Sequence, residues 1–147
     1  MEKEKIIINT DGGARGNPGP AACAFVVKRN GEVVFKEAFF LGNTTNNVAE
    51  YTAVLKALEW LIENNFTKSN IFFEMDSELV VRQLNRIYKV KNLKLKEFFD
   101  RIKNLEKNFY FPISYTHIFR EKNFLADKLV NEKLDRVSRP TTLSPEN

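Results

Sequence analysis

Four acidic residues, Asp11, Glu50, Asp76 and Asp127, stand where a folded chain has little use for a charge. Asp11 closes the β-branched run Ile6-Ile7-Ile8-Asn9-Thr10 and is followed by Gly12-Gly13, while Asp76 closes the apolar stretch Ile71 to Met75. Glu50 shares a helical face with Val54, Ala57, Leu58 and Leu61, so its side chain projects toward an apolar interior. Asp127 has Phe124 and Val130 as its neighbours three residues to either side. A carboxylate aimed at a core costs free energy unless it is paired or holds a metal. Singly, each has an ordinary explanation. Asp11-Gly12 is a preferred type I′ hairpin pair, Asn47-x-x-Glu50 has the form of a capping box, Asp76 suits an N-cap, and Asp127 suits the first turns of a helix, where the dipole favours an acid. Together they are expected to meet, because strand ends of one sheet and the first turns of helices packed on it share an edge. Converging carboxylates need a cation, and hard oxygen donors select Mg²⁺ or Mn²⁺ over zinc. Two such ions about 4 Å apart suit in-line displacement at a phosphodiester.

The elements that would position these acids follow from periodicity. Ile6-Ile7-Ile8 reads as a strand buried on both faces. Ala21 to Lys28 and Glu32 to Phe40 read as two more strands joined at Asn30-Gly31, a strong hairpin signal. Thr44-Thr45-Asn46-Asn47 supplies capping residues, and Tyr51, Val54, Leu55, Leu58, Leu61 and Ile62 predict a helix from Asn47 to Glu63. Ile71 to Met75 predicts a strand, and Leu79, Val80 and Leu84 a helix after it. Leu95, Phe98, Phe99, Ile102 and Leu105 mark another helix, Ile113 to Phe119 a last strand, and Asn123 to Leu134 a closing helix. Three antiparallel strands followed by two parallel additions give an α/β fold with a five-stranded mixed sheet flanked by helices. Residues 1–135 are expected to form one domain. The tail 136–147, with Pro140 and Pro145 and little apolar content, is expected to be disordered.

With 147 residues, 43% hydrophobic content and 13 Phe, the chain can bury one sizeable core. No apolar run approaches the roughly 18 residues that span a bilayer, and Met1-Glu2-Lys3-Glu4-Lys5 lacks a signal-peptide apolar segment. A cytoplasmic monomer without membrane association is expected. Cys23 lies in an apolar run, which predicts a packed thiol, and a nucleophilic role is disfavoured with His117 as the sole histidine. Gly12 to Gly19 lacks the Gly-Lys-Ser/Thr ending of a phosphate-binding loop, and no Gly-x-Ser-x-Gly is present. The net charge of +4 hides a cluster: Arg86, Lys89, Lys91, Lys94 and Lys96 fall in eleven residues without an acid. That run is a solvated face or a contact for a phosphate backbone.

Four segments in order, Thr10 to Pro20 (TDGGARGNPGP), Thr45 to Glu50 (TNNVAE), Asp76-Ser77, and Arg120 to Asp127 (REKNFLAD), resemble the type 1 ribonucleases H over about residues 5 to 135. The resemblance implies a ribonuclease H-like fold and endonucleolytic hydrolysis of the RNA strand of an RNA/DNA hybrid, leaving 3′-hydroxyl and 5′-phosphate ends. It implies a metal tetrad of Asp11, Glu50, Asp76 and Asp127 with two Mg²⁺, or Mn²⁺ in their place. Gly12, Gly13, Asn17 and Asn47 resemble the family's reader of the 2′-hydroxyls by which RNA differs from DNA. Thr45 and Asn92 sit where the family grips a DNA-strand phosphate, and Lys89 and Lys91 beside Tyr88 would add electrostatic support. Arg15, Asn46 and Ser77 lie within the same motifs and join the expected substrate contacts.

The chain also departs from the pattern. Glu78 stands where a Gln commonly helps contact the RNA, Val48 replaces a frequent Arg, and the segment between Arg86 and Lys94 is too short for a long basic protrusion. His117, ten residues before Asp127, has the spacing of a histidine that some members use in product release, although Ser114-Tyr115-Thr116-His117-Ile118 reads as strand. Arg120 competes for that role. Two other readings remain at this point: a DNA nuclease or resolvase of the same superfamily, and a nucleic-acid-binding module without catalysis.

Overall fold

Ile6 and Ile8 have no exposed surface, and the strand that carries them is the middle one of five. The computed structural model describes residues 4–138. Its elements are β1 (Lys5–Ala14), β2 (Gly19–Arg29), β3 (Glu32–Thr44), α1 (Asn46–Glu63), β4 (Asn70–Met75), α2 (Glu78–Leu84), α3 (Leu93–Glu106), β5 (Ser114–His117), a 3₁₀ turn (Arg120–Asn123) and α4 (Phe124–Val137). The sheet order is β3-β2-β1-β4-β5. β1, β2 and β3 pair antiparallel, whereas β4 adds parallel to β1 and β5 parallel to β4, as the alternation of strand and helix predicts. Asn30 and Gly31 both have positive φ, the requirement of the type I′ hairpin between β2 and β3.

The two faces of the sheet are covered unequally. On one lies the main core, where Tyr51, Val54, Leu58 and Leu61 of α1 pack with Ile6, Ile8, Phe25 and Phe73, and Ile102 of α3 closes the layer. On the other, Val130 and Leu134 of α4 rest on Ala22 and Ala24 of β2. Side chains alternate along a strand. The residues of β1 that share the α1 face are therefore Ile6, Ile8, Thr10 and Gly12, while Asn9, Asp11 and Gly13 face α4.

Several boundaries differ from the sequence expectation, each for a local reason. Asp11-Gly12 is not a turn: β1 continues to Ala14, with Asp11 opposite Ala24 and Gly12 opposite Cys23. The reversal falls instead at Arg15 to Pro18, where Gly16 adopts φ +81°. Asn47 does not begin α1. Thr45 is the N-cap, its hydroxyl accepting from the Val48 N–H at 3.2 Å, so Glu50 lies too far into the helix for a capping box. Ser77, not Asp76, caps α2, accepting from the Val80 N–H at 3.3 Å. Asn123 precedes α4 but spends its amide on the Thr10 carbonyl at 2.9 Å, which ties the start of α4 to β1. β5 is shorter than expected, and α4 carries the chain to Val137. The expected disorder of 136–147 concerns, from residue 139 on, positions outside the described residues.

Candidate active site

The last pair of β1 with β4 joins Thr10 to Met75. Asp11 and Asp76 are the next residues of these two strands, so the strand register delivers both acids to the opening where β4 stops and β1 runs on. Glu50 arrives from α1. The helix comes this close because Gly12 has no side chain: a Cβ there would overlap the Ala49 carbonyl and the Glu50 nitrogen. Gly12 is thus demanded by strand–helix packing, whereas Gly13 has room for a Cβ, with the Asn46 Oδ1 at 3.8 Å as its nearest neighbour.

One carboxylate oxygen each from Asp11, Glu50 and Asp76 lies within 4.8 Å of the others. Asp11 and Glu50 are buried, and Asp76 is half-buried. Burial, reinforced by Asp76 and Asp127, pushes the Asp11 carboxyl up to about 8. Burial and the nearby Asp11 and Asp76 raise Glu50 well above the carboxylate range, and burial also raises Asp76. Glu50 Oε1 is buried without a hydrogen-bond partner. Crowded acids with an orphaned inner oxygen describe a donor set built for a hard cation.

Asp127 stands slightly apart. It lines the same cleft of about 420 Å³ and acts electrostatically on Asp11, but it is not part of the three-residue group. Its Oδ1 lies 3.7 Å from the Arg120 guanidinium, which also lines the cleft. His117 does not line it. The ring is exposed on β5, edge-on to Phe119 at 6.0 Å, so neither the packed histidine that its strand setting suggests nor a cleft-lining group is found at this position.

The turn after β1 is clamped to the start of α1. The Ala14 N–H donates to Asn46 Oδ1 at 2.7 Å, and the Asn46 N–H donates to Asn17 Oδ1 at 2.9 Å. Gly12, Gly13, Arg15, Asn46 and Ser77 line the cleft; Asn17, Asn47, Thr45 and Glu78 do not. Glu78 is exposed and accepts from Arg82 at 2.9 Å. The basic segment forms a separate groove, lined by Arg86, Tyr88, Lys89, Lys91 and Lys96. Asn92 caps α3, accepting from the Leu95 N–H at 3.0 Å, and Lys96 pairs with Asp100 at 2.7 Å. Cys23 is fully buried and its thiol is pushed up to about 12 by burial, as a packed, inert thiol should be.

Sequence reasoning passed over the α4 wall of the cleft, Val130, Asn131 and Leu134. Asn131 and Leu134 lie four and seven residues after Asp127, on the same helical stripe, and that spacing was the available signal. It also passed over Asn9, Thr10 and Asn123, whose side chains include buried polar atoms without partners.

The family described as "Reverse transcriptase-like" matches residues 9–133. The chain is similar to the Bifunctional protein Rv2228c of Mycobacterium tuberculosis, 34% identical over 92% of this chain, although it spans only 37% of that protein's length. The Ribonuclease H of Ruthia magnifica is 34% identical over 91% of this chain and 98% of its own. Among solved structures, LC11-RNase H1 isolated from compost superposes with a TM-score of 0.86 at 44% identity, covering 92% of this chain and 99% of that one. LC11-RNase H1 has also been crystallised in complex with an RNA/DNA hybrid.

Proposed function

We propose that this chain, which belongs to the ribonuclease H family, hydrolyses the RNA strand of RNA/DNA hybrids endonucleolytically, leaving 3′-hydroxyl and 5′-phosphate ends. The observation that carries the reading is the convergence of Asp11, Glu50 and Asp76 within 4.8 Å, with a buried Glu50 oxygen left free for a ligand. In this reading Asp11, Glu50 and Asp76 would hold one divalent ion, Mg²⁺ or Mn²⁺, and Asp127 with Asp11 would hold a second. When bound, the ions supply the Lewis acidity that generates a nucleophile from water and neutralises charge on the reacting phosphate.

The chain's own residues do the rest. Gly13 and the clamped turn of Ala14, Asn17 and Asn46 offer polar backbone and amide groups beside the carboxylates, suited to reading 2′-hydroxyls. Asn47, next to Asn46 in the first turn of α1, is assigned to the same strand. The N-termini of α1 and α3, capped by Thr45 and Asn92, can receive a phosphate of the DNA strand. Tyr88, Lys89 and Lys91 extend that contact along the basic groove. Arg120, at the cleft and beside Asp127, is better placed than His117, which does not line the cleft, to assist the departure of the cleaved phosphate. Support for the substrate comes from the hybrid complex of LC11-RNase H1. No helix among the described residues is long and apolar enough to cross a membrane.

The test is cleavage of end-labelled RNA/DNA hybrid, duplex RNA and duplex DNA in Mg²⁺ and in Mn²⁺. The RNA strand of the hybrid should be cut fastest; preferential cutting of duplex DNA would overturn the substrate assignment.

A further inference from the structure

Two arginines line the cleft, and each is paired with an aspartate of α4: Arg120 with Asp127, and Arg15 with Asp135. The second pair lies outside the metal-binding group. Arg15 Nη2 is 2.7 Å from Asp135 Oδ1, and 3.4 Å from both the carbonyl and the side-chain oxygen of Asn131. Asn131 is itself fixed, its amide donating to the Asp127 carbonyl at 3.0 Å. The backbone of Arg15 is also fixed, its N–H donating to the Pro20 carbonyl at 2.9 Å, next to the Asn46 clamp on Ala14. Only the long side chain is left to move. Both partners of the ion pair are open to solvent, at 42% and 64% exposure, and among the described residues Asp135 has no other side-chain partner. Pairs this exposed contribute little to stability, so the guanidinium can be exchanged to another anion at small cost.

From this we infer that Asp135 occupies the place of a substrate phosphate on Arg15, so that the ion pair is a latch which a nucleic-acid strand opens on binding. A phosphate suits the planar fork of a guanidinium at least as well as a carboxylate does, and bidentate pairing favours the phosphodiester once a strand is threaded past the acids. Arg15 then contacts the strand, and Asp135 is a positioning residue that keeps Arg15 extended along α4 in the empty cleft and competes with the substrate. The proposal rests on the reading of the cleft as a nucleic-acid site. It does not require that the strand be RNA.

Binding of dye-labelled RNA/DNA hybrid, duplex RNA and duplex DNA in chelator, read by fluorescence anisotropy across a salt series, tests it. Asp135→Asn should tighten binding of the preferred duplex roughly threefold. Arg15→Ala should weaken it roughly tenfold and lower the salt slope by about one; Arg15→Lys should fall between. In the Arg15→Ala background the gain from Asp135→Asn should shrink to near unity. Thermal unfolding verifies that each variant is folded. A merely structural ion pair would make Asp135→Asn weaker or neutral, and that result, or an equal gain with and without Arg15, overturns the latch. Tightening seen on duplex DNA or duplex RNA without any preference for the hybrid keeps the latch and overturns the substrate reading.

Discussion

Ile6 and Ile8 in the first half of β1 are buried among apolar side chains, whereas Asn9, Thr10 and Asp11 in the second half are as deeply buried and leave polar atoms unpartnered or a carboxyl pushed up to about 8. One strand, paired on both sides from Ile6 to Thr10, therefore changes from a part that stabilises the fold to a part that costs free energy. The change begins at Asn9, and pairing with β4 ends one residue later, at Thr10 with Met75. Folding has no use for three acids beyond that point, but a hard divalent cation does. The difference between the halves separates stability from chemistry, and substitutions in each should separate them too.

The largest effect is expected at Asp11. Asp11→Asn should lower hybrid cleavage on the order of a thousandfold, the equivalent of several kcal/mol of lost transition-state stabilisation. In chelator the same variant should unfold at higher temperature than the wild type, because a crowded carboxylate has been removed. In the other half, Ile8→Ala should cost about 3 kcal/mol of stability through the cavity it leaves, seen as a shifted urea midpoint, while cleavage per folded molecule stays near that of the wild type.

Acidity sharpens the contrast next. Burial pushes the Asp11 carboxyl from its ordinary 3.8 up to about 8 in the fold, so between these two values unfolding releases a proton. Metal-free protein should therefore be most stable below about pH 4 with respect to this group. It loses stability as pH rises toward about 8, with no further change from this group above that. Glu50 and Asp76, also raised, act in the same sense. Added Mg²⁺ should stabilise more at pH 8 than at pH 5, since the ion must displace those protons; thermal melts at the two pH values check this. The smallest effect is expected well inside the apolar layer. Tyr51→Phe strands the Gln83 oxygen that now accepts from the Tyr51 hydroxyl at 2.5 Å, costing about 1 to 2 kcal/mol with no loss of cleavage.

How much of this was legible before the fold depends on whether the signal was local. The strands, the Asn30-Gly31 hairpin and α1 follow from side-chain periodicity and turn chemistry, and they emerged with small shifts at their ends. Asp11, Glu50 and Asp76 were legible because each breaks an apolar pattern, and that conflict persists in the structure. Their local alternatives failed for tertiary reasons. Asp11-Gly12 stays extended because β2 pairs alongside it, and Thr45 and Ser77 take the caps that Asn47 and Asp76 could have filled. The need for glycine at position 12 could not be read locally, since the helix backbone that excludes a Cβ is almost forty residues away in the chain. Arg15 meets Asp135 across an even longer separation, and no pattern in either segment announces the pair. His117 had the spacing and Arg120 competed with it for one role, and only the turn before α4 directs Arg120 to the cleft and leaves His117 outside it.

The polar, crowded second half of β1 presents the donor set of a divalent-ion site. Calorimetric titration of the metal-free protein with Mg²⁺ near pH 7, repeated in buffers of different ionisation enthalpy and on Asp11→Asn, tests it most directly. Saturable binding with proton release is expected of the wild type and none of the variant. Equal binding by both proteins, or none by the wild type, would contradict it.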